Sequence, residues 1–290
     1  MFGAIIGDIV GSKYEFGNFK SKDFPLFGSG CDYTDDSIMT VAVANALLRA
    51  RNEEGGFKKI LVEEMQRFGK LYPNPKGAYG GRFASWLQSE DPKPYGSFGN
   101  GSAMRVSPCG LLAVTMEECM ELAEASAAVT HDHPEGIKGA KAVAAAVFMA
   151  RNGAAKEEIK EYIEEHFYPL DKSLDEIRPS YRFDESCQGT VPQAIQAFLE
   201  SKTFEDALRN AVSLGGDSDT IGAITGSIAW SFYWGRAWEA SLPNDMKAIR
   251  DQAIALLPED ILNVVEEFEE IAIHRHTAWL RIALVGKIKI

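Results

Sequence analysis

Apolar side chains recur along this chain at helical spacing, and no clear stretch alternates apolar with polar positions as a half-buried strand does. The run SIMTVAVANALLRA, from Ser37 to Ala50, is apolar nearly all round, the pattern of a helix sunk in a large core. In GAIIGDIVG, Gly3, Gly7 and Gly11 fall on one helical face, where a neighbouring helix can approach closely. The rival reading of those glycines, a dinucleotide-binding loop, needs a preceding strand that the sequence does not show. Thr115 with Glu118 and Thr203 with Asp206 resemble capping boxes at two further helix starts. Pro134 is expected to open a helix that Gly153 stops, and Pro192 to open another over PQAIQAFLES. DTIGAITGSIAWSFYWGRAW and PEDILNVVEEFEEIAIHRH complete the helical series, while YPNPKGAYGG and DPKPYGSFGNGS read as loops. The expected fold is an all-α bundle. The tail LRIALVGKIKI lacks helical punctuation and reads as a docking segment or an appended piece.

Composition changes the picture little. A chain of 290 residues with 46% hydrophobic and 25% charged residues can bury a sizeable core as one large domain or two small ones, and no linker forces a split. The formal net charge of -12 excludes general attraction to nucleic acid phosphates, so no direct nucleic acid binding is expected. Cys31, Cys109, Cys119 and Cys187 are scattered and contain no CxxC pair, which fits reduced thiols in a cytoplasm better than a disulfide framework or a zinc ribbon. No run is long and apolar enough for a membrane span, and Asp8 interrupts the apolar N-terminus, which also lacks the basic flank of a signal peptide. A cytoplasmic location without membrane attachment is the expectation.

The chemistry is concentrated in two echoing segments. YTDDSIM and GGDSDTIG each open an apolar run, and together they supply Thr34, Asp35, Asp36, Asp217, Asp219 and Thr220. Helix capping explains one Thr or Asp at each start, but not this surplus of oxygen donors. If the two helix starts meet, their four carboxylates repel one another unless they take up protons or hold cations. A cluster of oxygen ligands without His or Cys points to Mg or Mn rather than Zn.

Five motifs, GDIVGSKYEF, YTDDSIMT, GNGSAMRVSP, VTHDHPEG and GGDSDTIGAITG, resemble in order and spacing those of the ADP-ribosylglycohydrolase family, and they span residues 3 to about 230. The resemblance implies a single-domain orthogonal helical bundle over 1–290, with 277–290 as a tail and a binuclear metal site between helix termini. It implies two divalent cations, Mg or Mn, and hydrolysis of the N- or O-glycosidic bond between ADP-ribose and a modified arginine or serine. The partner would then be an ADP-ribosylated protein or a small ADP-ribosyl substrate. Matched residue by residue, Thr34, Asp35, Asp36, Asp217, Asp219 and Thr220 become metal ligands and Glu15 the catalytic acid or base, although an isolated Glu there reads as a surface group. Gly99, Asn100, Gly101, Ser102, Ala103 and Met104 become ADP-ribose contacts, with backbone N–H groups approaching the diphosphate, and His131 becomes a contact at the ribose end. Read without the resemblance, the glycine segment is a turn and His131 a capping or core residue. Arg105 carries charge suited to a phosphate, but its direction is open. Trp230, Phe232, Tyr233 and Trp234 read as core aromatics.

Two alternatives stand beside this reading. A binding protein can keep the fold without turnover, against which both metal motifs argue. An HD-type metal phosphohydrolase needs a histidine upstream of His131-Asp132, and His131 is the first in the chain.

Overall fold

Side-chain caps set five of the helix starts among the described residues. Thr34, Thr115, Thr203 and Ser186 each accept a hydrogen bond from a backbone N–H in the first turn that follows, at 3.1 Å in each case. The two expected capping boxes are shifted by one residue: Glu118 accepts from the Val114 N–H and Asp206 from the Lys202 N–H, both at 2.9 Å, rather than from the cap residue itself. His133 caps the helix opened by Pro134, and Gly153, with φ at 85°, closes it as expected. Pro192 does not open its helix. Ser186 caps that helix at Cys187, and Pro192 lies inside it, where the ring forgoes one backbone bond.

The computed structural model describes residues 1–235 and 242–284. Its helices are α1 (Phe2–Gly11), α2 (Asp35–Ala50), α3 (Phe57–Leu71), α4 (Gly81–Leu87), α5 (Gly101–Met104), α6 (Ser107–Leu112), α7 (Met116–Ala128), α8 (Pro134–Arg151), α9 (Lys156–His166), α10 (Leu174–Ile177), α11 (Cys187–Leu199), α12 (Phe204–Ser213), α13 (Ser218–Gly235), α14 (Asn244–Ile254) and α15 (Glu259–Leu284). Among the described residues there is no strand, only isolated bridges between Thr34 and Lys76 and between Gly99 and Ser186. The all-α expectation holds. The last helix runs further than expected, so the tail is helical as far as Leu284 and its remainder, 285–290, lies outside the described residues. No helix among the described residues is long and apolar enough to cross a membrane.

The pairing of α1 with α13 positions the site. A Cβ on Gly7 would come within 1.9 Å of the Gly222 carbonyl oxygen, one on Gly3 within 2.2 Å of the Gly226 oxygen, and one on Gly11 within 2.1 Å of the Ser218 oxygen. Backbone thus lies directly on backbone along the whole contact. The glycine stripe read from the sequence has a matching one in Gly222 and Gly226. Ser218 locks the seam by donating its hydroxyl hydrogen to the Gly11 carbonyl at 2.8 Å. Trp230 is buried at the far end of α13 against Phe2 and Phe204, and the four cysteines are buried free thiols.

Candidate active site and cation centre

Asp8 is the residue the sequence pattern undervalued. It is fully buried in an otherwise apolar helix, and it gathers the start of α2 around its carboxylate. Thr34 donates to it through its backbone N–H at 3.0 Å and its hydroxyl at 2.8 Å; Ser37 donates through its N–H at 3.1 Å and through its hydroxyl. Burial still raises the Asp8 carboxyl to about 6 despite these donors. The available signal was a charged residue inside a helix that is apolar everywhere else.

With α1 clamped to α2 by Asp8 and to α13 by glycine, the two Thr/Asp clusters meet. Thr220 of the second cluster donates its hydroxyl hydrogen to Asp36 Oδ2 of the first at 3.3 Å. Glu15, Asp217 and Asp219 each offer a carboxylate oxygen within 4.8 Å of the others. Before Asp217 the chain turns through Gly215 and Gly216, at φ 68° and 71°. A Cβ there would meet Asn18 Oδ1 at 2.6 Å or Tyr181 Cε1 at 2.8 Å, so the turn needs glycine at both positions.

Electrostatically the cluster is short of positive charge. Burial, then repulsion from Asp219 and Asp8, pushes Glu15 up to about 8, with partial relief from Lys76. Asp35, Asp36 and Asp219 are raised well above the ordinary carboxyl range, first by burial, then by Asp219 for the first two and by Asp217 for Asp219, with Asp8 adding to each, and Asp217 rises to about 6. Asp36 Oδ1, Asp219 Oδ1 and Glu15 Oε2 are buried without a hydrogen-bond partner. Orphaned buried carboxylate oxygens are costly. Aimed into one space, they fit hard divalent cations, so the donor set passes the test that the resemblance posed.

These groups line one cavity of about 460 Å³ with Gly99, Asn100, Gly101, Met104 and His131. Other expected contacts face elsewhere. Ser102 is fully buried and donates to the Gly136 carbonyl at 2.7 Å, and Ala103 is fully buried; neither lines the cavity. The Gly99 N–H is taken by Ser97 Oγ at 3.2 Å and the Asn100 N–H by the Glu185 carbonyl at 2.7 Å, so these two are not free for an anion. The Asn100 amide is spent on Thr190 and, at 2.6 Å, on Asp217 Oδ2, which it orients. Thr34 is buried and turned to Asp8 and its own helix.

Arg105 contributes to the cavity lining, but it is buried and its guanidinium is bonded inside the protein. It donates to the Ser126 carbonyl at 3.0 Å and to Thr130 Oγ1 at 2.8 Å, and Thr130 in turn meets His131 Nδ1 at 2.6 Å. Burial, with Arg105 and Arg82 nearby, drives the His131 pKa down, so the ring is neutral. Its Nε2 edge would lie 3.2 Å from a Cβ on Gly101, so a side chain there would press on the ring. Sequence reasoning missed other lining residues: Arg82, Tyr95, Phe183 and Glu185 come from segments that carry no motif, and Phe16 ends the first motif but was given no role. Residues 77–81, within a segment expected to be a loop, form part of the wall.

Among the described residues, an all-helical fold gathers acidic helix starts and Glu15 around one cleft. A profile of the ADP-ribosylglycohydrolase family matches residues 1–275; the chain belongs to that family and is a glycosidic-bond hydrolase. It is similar to ADP-ribosylhydrolase ARH3 of Mus musculus, with 28% identity covering 80% of this chain and 82% of that one. ADP-ribosylarginine hydrolase Tri1 of Serratia proteamaculans (strain 568) is 24% identical, covering 92% and 79%. A solved ADP-ribosylglycohydrolase-related protein complex superposes with a TM-score of 0.66 at 23% identity, over 95% of this chain and 94% of that one, which supports the fold.

Proposed function

We propose that the protein removes ADP-ribose from modified protein side chains, with two divalent cations, Mg or Mn, held by Asp35, Asp36, Asp217, Asp219 and Thr220. The observation that carries this reading is the set of buried carboxylate oxygens from α2, α13 and Glu15 that share one cavity without partners. When bound, the cations supply Lewis acidity toward ribose hydroxyls and water. The protein's own groups do the rest. Asn100 fixes Asp217 by its 2.6 Å bond, and Asp8 fixes the start of α2, so the ligand oxygens are in place before any cation arrives. The neutral His131 and the glycine wall leave room for the sugar without adding charge.

Glu15 is the group placed to move protons. As the bond from the ribose anomeric carbon to the acceptor atom breaks, its electron pair leaves with the acceptor, which takes a proton from the Glu15 carboxyl. The oxygen of a water bonds to the anomeric carbon, and that water returns a proton to Glu15. The net change is one water split across the bond. The test is release of free ADP-ribose from modified peptides with Mg, with Mn and with chelator. Release is expected only with metal, and a fall of at least about 100-fold in Asp36→Ala and Asp219→Ala is expected because each removes a ligand. Unchanged release after chelation sinks the reading.

A further inference from the structure

Three side chains at the cavity mouth have no role in the chemistry above. Phe16 is 75% exposed and Phe183 is 43% exposed, and their rings stack with centroids 5.8 Å apart and an interplanar angle of 24°. Glu185 is exposed and lines the same cavity, and no described residue bonds its carboxylate. Its backbone carbonyl accepts from the Asn100 N–H at 2.7 Å, which anchors the segment carrying both Phe183 and Glu185 to the inner wall. Phe16 directly follows Glu15, so the ring pair stands beside the group that serves the departing acceptor.

Flat aromatic faces beside an unpaired carboxylate complement a planar cation. The same cavity already contains such a contact: the Arg82 guanidinium lies 4.6 Å from the Tyr95 ring centroid. The cavity lining carries both signs of charge, Arg82 and Glu185. Arg82 suits the anionic diphosphate, whereas the free Glu185 carboxylate repels it and attracts a cation. A serine acceptor offers neither plane nor charge.

We propose that Phe16, Phe183 and Glu185 form an acceptor subsite for the guanidinium of ADP-ribosylated arginine, an assignment that rests on the hydrolase reading above. The experiment compares Mg-loaded wild type, Phe183→Ala and Glu185→Gln on an arginine-linked and a serine-linked peptide, with calorimetric affinity for both peptides and for ADP-ribose. Wild type is expected to favour the arginine peptide, and each variant to lose about 3- to 10-fold on it, chiefly in KM. Serine-peptide turnover and ADP-ribose affinity should hold. Equal losses on both peptides, weakened ADP-ribose binding, or a wild-type preference for serine overturns the subsite. If wild type releases ADP-ribose from neither peptide, hydrolysis fails on its own. The subsite then stands if calorimetry shows an arginine preference that Phe183→Ala abolishes, and falls if it shows none.

Discussion

Asp8 shows how one buried charge can organise a centre without belonging to its reacting surface. Both of its oxygens are occupied by donors from Thr34 and Ser37, so it acts on Asp35 and Asp36 by fixing the turn that carries them. An asparagine there would keep the shape but turn an NH2 group toward donors. Asp8→Asn is therefore expected to lower stability by about 2–4 kcal/mol, the range for an unsatisfied group in a buried charged network. It should also weaken cation binding at least about tenfold. Urea unfolding and calorimetry with Mn check the two effects. The Thr/Asp clusters were legible in the sequence because they exceed what capping requires. Asp8 was not, because its donors lie 26 and 29 residues further on. Ser102 was misleading and Arg105 undecidable for the converse reason: hydroxyl and charge are visible in a sequence, whereas the direction each points is decided by packing.

Among the elements, α1 and α13 carry the arrangement, and the sequence declared half of it. The recurrence of Gly3, Gly7 and Gly11 announces a close partner, while the partner's identity waits on tertiary structure. Gly222→Ala would drive a methyl into the Gly7 carbonyl, 2.3 Å from the new Cβ, with rigid backbone on both sides. The helices must then separate. The expected cost is about 1–3 kcal/mol in urea unfolding, with loss of cation affinity measured by calorimetry, because Glu15 and Asp219 ride on opposite sides of the seam. Pro192 was misread as a helix start because the hydroxyl cap at Ser186 forms the first turn before the proline is reached. The start of α8, where Pro134 stands directly after its cap, followed the ordinary rule.

For the molecule as a whole, the buried carboxyl cluster sets how stability responds to pH. Folding raises Asp8 and Asp217 to about 6 and Glu15 to about 8, so the metal-free fold holds protons that the unfolded chain has already released. The stability linked to these groups is fully present below about pH 4 and is lost as pH rises through 6 and then 8. Metal-free protein should therefore melt at a lower temperature near about pH 8.5 than near about pH 5. Added Mg or Mn should reverse the trend, raising the melting temperature more at the higher pH, where ligands are already deprotonated. Scanning calorimetry across that window, with and without chelator, is the check. A flat metal-free profile would show that these carboxyls titrate as exposed groups do.

The bond from Ser218 to Gly11 has a further meaning for biosynthesis. It joins residues 207 positions apart, and the two Thr/Asp clusters are separated along the chain by most of that span. A growing chain exposes its first acidic cluster long before the second exists, so a cation held by both clusters, as proposed above, would be captured only after most of the polypeptide has emerged. Ribosome-stalled chains ending before Gly215 should carry Asp35 and Asp36 yet retain no cation, making metal loading a late milestone of maturation rather than its trigger.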